Sequence, residues 1–262
     1  MVSTKNIYYI AVREFRTIIT SPMMYIVLAL FFFVSNFFFL LSLEAFNDMC
    51  TSFSSDLAAF RISALDINSM VLTQQFINMA FVCIFFLPIF TMRLVADEKK
   101  NHTVELLMTS PISSTEIILG KFFAISVIWV IILTITLMYP FSVIQLPYIT
   151  IDWANFFCAL LGLFLYGLFG ISIGLFASSL TDNLLISAMI AFFLMAVLYF
   201  LINISSVTDS PIGNFAYAVS TFPHFNEFAR GLIDTKNIAY FVLGIFFVLF
   251  SSERVLESQR WR

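Results

Sequence analysis

The 262-residue sequence predicts an all-α integral membrane protein with six transmembrane helices and cytoplasmic N- and C-termini. Three observations predict it. First, 61% of the residues are hydrophobic and only 11% charged; a soluble domain is roughly a quarter charged, because polar groups must cover its surface. Second, residues 17–43, 67–92, 122–151, 153–181, 183–208 and 237–252 contain no Asp, Glu, Lys, Arg or His. Each of the first five gaps exceeds the ~20 residues that a helix needs to cross hydrocarbon. Third, the basic residues are unevenly shared. With both termini inside, ten of the thirteen Lys and Arg face the cytoplasm and only Arg61, Arg230 and Lys236 lie outside, as the positive-inside rule requires.

The same numbers exclude other classes. Disorder requires low hydrophobicity. Nucleic acid requires a broad cationic face, which a net charge of −3 does not offer. A membrane barrel requires alternating polarity, and Phe31-Phe32-Phe33 and Phe37-Phe38-Phe39 break it.

Residues 1–262 read as a single transmembrane domain. It starts with an amphipathic helix over 3–20: Ile7, Ile10, Ala11, Phe15, Ile18 and Ile19 recur at helical spacing, with Lys5, Arg13 and Arg16 largely between them. Such a helix lies in the headgroup layer. Ser21-Pro22 then turns the chain into the membrane. The first apolar run is too long for a signal-peptide core, so no cleavage is expected. Spans are expected at about 23–43, 74–95, 120–143, 154–177, 184–203 and 236–253. The last is the weakest, because only Ile238–Phe250 is continuously apolar. Pro88 is expected to kink the second span. Gly170 and Gly174, with Gly167 and Ser178 nearby, are expected to admit neighbouring helices inside the bundle. Residues 44–66 read as an outer acidic loop with Glu44, Asp48, Asp56 and Asp66.

No catalytic, cofactor-binding or metal-ligating constellation is recognisable. His102 and His224 are the only histidines, Cys50, Cys83 and Cys158 are far apart, and no Walker A motif occurs. The chain is therefore expected not to be an enzyme. Nor do the spans contain intramembrane charge, which argues against a proton relay, a channel or a secondary transporter. Energy for transport would have to enter from outside the bilayer. A few polar residues mark the spans, among them Asn36, Gln75, Asn78, Ser187, Tyr199 and Asn203. They fit either a translocation path between two subunits or hydrogen bonding between helices.

The segment 96–112, between the second and third spans, is the most charged stretch of the chain. Within it, Val104, Leu107 and Met108 fall at i, i+3 and i+4, one apolar side of a short helix that Ser110-Pro111 ends. Ser113 and Glu116 have capping-box spacing, so a new helix starts there and runs through Gly120-Lys121 into the third span. An exposed apolar face on a charged elbow suits a protein partner.

This elbow resembles that of ABC-2-type permeases in Glu98, Lys99, Lys100, Thr103, Glu105, Leu106, Leu107, Pro111 and Leu119-Gly120-Lys121; His102 stands where the family usually has Gly. The stretches His224–Asp234 and Arg254–Trp261, with Arg13-Glu-Phe-Arg and Ser21-Pro22, are similar to the gliding-motility-associated branch. The resemblance implies a permease subunit in the inner (plasma) membrane, pairing with a second permease subunit, identical or different. It implies a separate ATP-binding cassette ATPase that holds ATP and Mg, leaving no cofactor on this chain. Glu98, Thr103, Val104, Glu105, Leu107 and Met108 would form the ATPase-docking coupling loop, residues 3–20 a connector helix, and 204–235 an outer re-entrant region. An exporter or a gliding-associated complex is the expected function. The alternative is a mechanical transmitter, in which the ATPase drives a partner protein without moving cargo.

Overall fold

The computed structural model of the protein describes residues 3–52, 68–101, 113–144, 151–205 and 211–259. Almost all of these are helical, and no strand occurs among them. The helices are α1 (Thr4–Thr20), α2 (Pro22–Ser52), a π-helical turn (Asn68–Thr73), α3 (Gln74–Thr91), α4 (Arg93–Lys100), α5 (Ser114–Thr136) and α6 (Met138–Ile144). They continue as α7 (Trp153–Leu180), α8 (Leu184–Phe200), α9 (Ile202–Ser205), α10 (Pro211–Val219), α11 (Thr221–Ala229) and α12 (Thr235–Gln259).

Local chemistry sets many of the boundaries. Ser21 is extended, at φ −77° and ψ 120°, and separates α1 from α2. Ser113 and Glu116 form the expected capping box: Glu116 N–H donates to Ser113 Oγ at 3.3 Å and Ser113 N–H to Glu116 Oε2 at 3.2 Å. Asp152 caps α7 by accepting from the N–H groups of Ala154 and Asn155. Prolines act on the carbonyl four residues back, which their rings exclude from the helix. Thus α5 stops at Thr136, four residues before Pro140, and α10 stops at Val219, four before Pro223. Pro88 lies inside α3, and the break at Met92 follows one turn later. At the end of α11, Gly231 adopts φ +82°, the left-handed turn that glycine tolerates without strain.

Five stretches are long and apolar enough to cross a membrane: 22–49, 68–100, 114–142, 153–180 and 235–258. The shorter sixth is α8, of 17 residues. The last stretch, expected to be the weakest, is the least apolar of the five. It reaches full length because α12 extends past its apolar core into the charged turn at Glu253–Glu257, where Arg254 pairs with Glu257 at 3.0 Å. The expected fifth span, 184–203, is the one that falls short. Meanwhile α8 is interrupted at Leu201. A second correction concerns 44–66. Helix α2 continues to Ser52, so Glu44 and Asp48 are on a helix; Asp56, Arg61 and Asp66 lie outside the described residues.

Helix α7 sits at the centre and packs on α3, α4, α5, α8, α11 and α12. Its small residues make this feasible. Gly167 faces Trp129 of α5, Gly170 faces Leu87 of α3 and Met195 of α8, and Gly174 faces Thr91. The stripe is therefore used within the chain, as its sequence suggested. At one end of the bundle, Phe225 and Phe228 of α11 are fully buried against Tyr166 of α7 and Phe241 of α12. There His224 stacks on Tyr240 at 4.2 Å, and Asn237 joins His224 to Glu227 through contacts of 2.7 and 2.6 Å. At the opposite end, α1 lies across α5, beside α4.

Candidate functional site

The end of the bundle that carries α1 and α4 holds a buried charge cluster. Lys121, two turns into α5, is completely buried. A buried ammonium is tolerable only when its three N–H donors are satisfied and its charge is balanced. Its Nζ lies 3.2 Å from Glu14 Oε1 of α1, 2.9 Å from Glu98 Oε1 of α4, and donates to the Leu94 carbonyl at 2.6 Å. Arg13 closes the cluster, with Nη2 2.9 Å from Glu14 and 3.0 Å from Glu98. Two cations thus share two carboxylates from three helices. Lys121 lies on the helix that the sequence places at the entry to the third span, and its burial inside the packed bundle is what the sequence did not foretell.

A second device holds α4. Ser178 of α7 accepts from the N–H groups of Val95 and Ala96 at 3.0 and 2.9 Å and donates to the Met92 carbonyl at 3.0 Å. This hydroxyl caps the first turn of α4 from a distant part of the chain, satisfying donors that a helix start leaves open. Lys99 adds a contact to the Ser179 carbonyl and lies 4.0 Å from Asp182.

The start of α5 is held as firmly. Beyond its capping box, the Glu116 carboxylate accepts from Ser3 N–H and from Asn6 Nδ2 at 3.1 Å, tying α5 to the beginning of α1. Thr115 Oγ1 donates to Glu253 Oε1 of α12 at 2.7 Å. Gly120 permits the crossing of α1 over α5, since a methyl group there would fall 2.7 Å from Ile10 Cγ2. The segment 102–112 is therefore flanked by two anchors: α4 before it, fixed to α1, α5 and α7, and the first turn of α5 after it, fixed to α1 and α12.

Of the expected docking residues, Glu98 belongs to this cluster; Thr103, Val104, Glu105, Leu107 and Met108 lie outside the described residues. The expected path residues lie on α2, α3, α8 and α9. Gln75 is buried and donates to the Ser35 carbonyl at 3.1 Å. Asn36, on the exposed side of α2, bonds its own helix at Phe32 and lines a cleft of about 640 Å³ beside α5 and α6. Asn78 accepts from Gln74 at 3.1 Å. Ser187 is buried, and its hydroxyl has no hydrogen-bond partner among the described residues. Tyr199 packs among Phe81, Phe200 and Phe222. Asn203 lies on α9, beyond the interruption at Leu201.

Comparison with known families decides what this arrangement belongs to. A family model described as ABC-2 family transporter protein matches residues 8–245. The chain belongs to that family. It is accordingly the permease subunit of an ABC transporter, a multi-pass membrane protein whose family implies an ATP-binding cassette ATPase as partner. No curated protein matches the chain. In this ABC-2 permease the match includes all four members of the charge cluster, Arg13, Glu14, Glu98 and Lys121. The sequence analysis placed Ser178 beside the small-residue stripe and Glu14 and Lys121 in family-like stretches, without foreseeing that they meet α4. The added signal for Lys121 is a lysine two turns past a strong N-cap in an otherwise apolar helix.

Proposed function

We propose that this permease couples ATP hydrolysis on a separate ATPase subunit to the export of a substrate, with 98–109 as its docking loop and the buried charge cluster as the joint that carries the motion inward. The observation behind this reading is the anchoring of the described residues on both sides of 102–112. A push on that segment reaches α1, α5 and α7 through Glu98, Lys121 and Ser178, and α1 and α12 through Glu116 and Thr115. Rigid bodies linked by short polar contacts are the material of alternating-access rearrangements. In this reading the chain is not itself an enzyme, ATP and Mg reside on the partner, and the α1 end faces the cytoplasm of the inner (plasma) membrane. A second permease subunit completes the transporter. The helices α10 and α11 are the outer, re-entrant element, held to α12 through Asn237 and Tyr240.

A second reading, the mechanical transmitter, has an observation in its favour: Gln75, one of the few polar residues of the spans, is buried and bonded to the backbone of α2. A gliding-associated role finds no comparable support, since the match extends to the ABC-2 family and no further. Affinity purification of the chain in mild detergent tests the shared core of both readings. An ATPase is expected to co-purify and to be lost when Glu105 or Leu107 is replaced. Recovery of the chain alone would contradict both. ATP-dependent cargo uptake into inverted vesicles then separates export from transmission.

A further inference from the structure

Beside the charge cluster, a cleft of about 420 Å³ opens between α1, α2, α3 and α4. One wall is apolar, with Met24 and Val27 of α2 and Ile89 and Phe90 of α3. The other is charged, and its charges fall into two groups. Arg13, Glu14 and Glu98 are engaged with one another and with Lys121. Arg93 and Asp97 are left over: they line the same cleft, one turn apart on α4, and neither forms an ion pair or side-chain hydrogen bond with any described residue. After internal pairing, the cleft therefore presents one cation and one anion about 6 Å apart along the helix axis, beside an apolar slot.

We propose that this cleft binds the headgroup of a phosphatidylethanolamine-type lipid, with its phosphate on Arg93, its ammonium on Asp97 and the start of an acyl chain along Met24, Val27 and Phe90. Guanidinium is the preferred partner of phosphate, because its planar fork donates two parallel hydrogen bonds. A primary ammonium supplies three donors to a carboxylate; a trimethylated one supplies none. An anionic headgroup would satisfy Arg93 but leave Asp97 facing like charge. Pockets between transmembrane helices that offer a basic residue at the cytoplasmic side bind lipid headgroup phosphates, and α1 supplies the interfacial wall. This assignment rests on the proposed placement of α1 in the headgroup layer.

Native mass spectrometry of the full chain, with equal amounts of phosphatidylethanolamine, phosphatidylcholine and phosphatidylglycerol added to the micelles, tests it. Phosphatidylethanolamine is expected to be retained about tenfold over the others, a difference of about 1.4 kcal/mol. The preference should vanish in Arg93→Gln and in Asp97→Asn. Met24→Trp, which fills the slot without touching a charge, should abolish it at an unchanged melting temperature. Equal retention of the three lipids would overturn the proposal. So would a preference for phosphatidylglycerol that Asp97→Asn strengthens, or wild-type retention in all three variants. Because the measurement uses the permease alone, its failure is distinct from a failure to bind an ATPase.

Discussion

Lys121 shows what one side chain can decide. An ammonium with side-chain exposure of 1% would be strongly disfavoured alone, yet its three donors all find oxygen and its charge is shared with Glu14 and Glu98. Removing it takes a buried cation from two carboxylates, and the Arg13 they share has a half-exposed side chain. Lys121→Met is therefore expected to destabilise the chain by about 3 kcal/mol, the cost of breaking a buried pair. Lys121→Arg should recover part of that loss. Thermal unfolding of the detergent-solubilised protein reads both. Ser178→Ala removes the hydroxyl that accepts from two N–H groups of α4 and donates to the Met92 carbonyl. The expected loss is about 1–3 kcal/mol, with hydrogen exchange faster in α4 than elsewhere; an unchanged exchange rate at Val95 and Ala96 would refute the cap.

Between helices, contact distance and polarity act together. The docking of α1 on α5 depends on the absence of a side chain at Gly120, where Ile10 would meet a methyl at 2.7 Å. Gly120→Ala should cost about 1–3 kcal/mol through overpacking, and Ile10→Ala in the same background should restore part of it. A double-mutant cycle on the unfolding midpoint measures the coupling, and simple additivity would show that the two do not meet. At the other end, Lys236 donates its backbone N–H to Asp234 at 3.0 Å and holds that carboxyl below the ordinary aspartate range. A depressed carboxyl contributes above its unfolded pKa and loses that contribution as pH falls through the folded value. The start of α12 is thus expected to loosen on acidification, an effect that Asp234→Asn removes.

These helices also show what was legible from sequence. Ser21-Pro22, the Ser113–Glu116 box and the Gly167–Gly174 stripe are local signals: their meaning is fixed by residues within a turn or two, and each appears where it was expected. Helix lengths were less legible, because charge was taken to end a helix. Glu44, Asp48 and Glu253 instead ride on helices that continue past the apolar run. The candidate site was hardest. Glu14 meets Lys121 across 107 residues and Ser178 caps α4 across more than 80; no local pattern announces a partner so far away. Of the residues expected in the docking loop, Glu98 is a member of the cluster, and the rest lie outside the described residues.

For the whole molecule, the family match and the bundle give a permease subunit built around α7, with many large apolar side chains left facing outward on α2 and α12, among them Phe33, Phe37, Phe246 and Phe247. Lipid or a second subunit must cover them. The charge the chain does possess is concentrated where α1, α4 and α5 meet, beside the segment proposed to receive the ATPase. The central claim is that this junction transmits ATP-driven motion, and a distance measurement tests it without knowledge of the cargo. Spin labels at Tyr9 on α1 and at Leu232 beyond α11, both exposed, would report the separation of the two ends in the assembled complex. The predicted result is an ATP-dependent change in that distance that disappears in Lys121→Met while the ATPase still co-purifies; the same change, undiminished in that variant, would contradict the account.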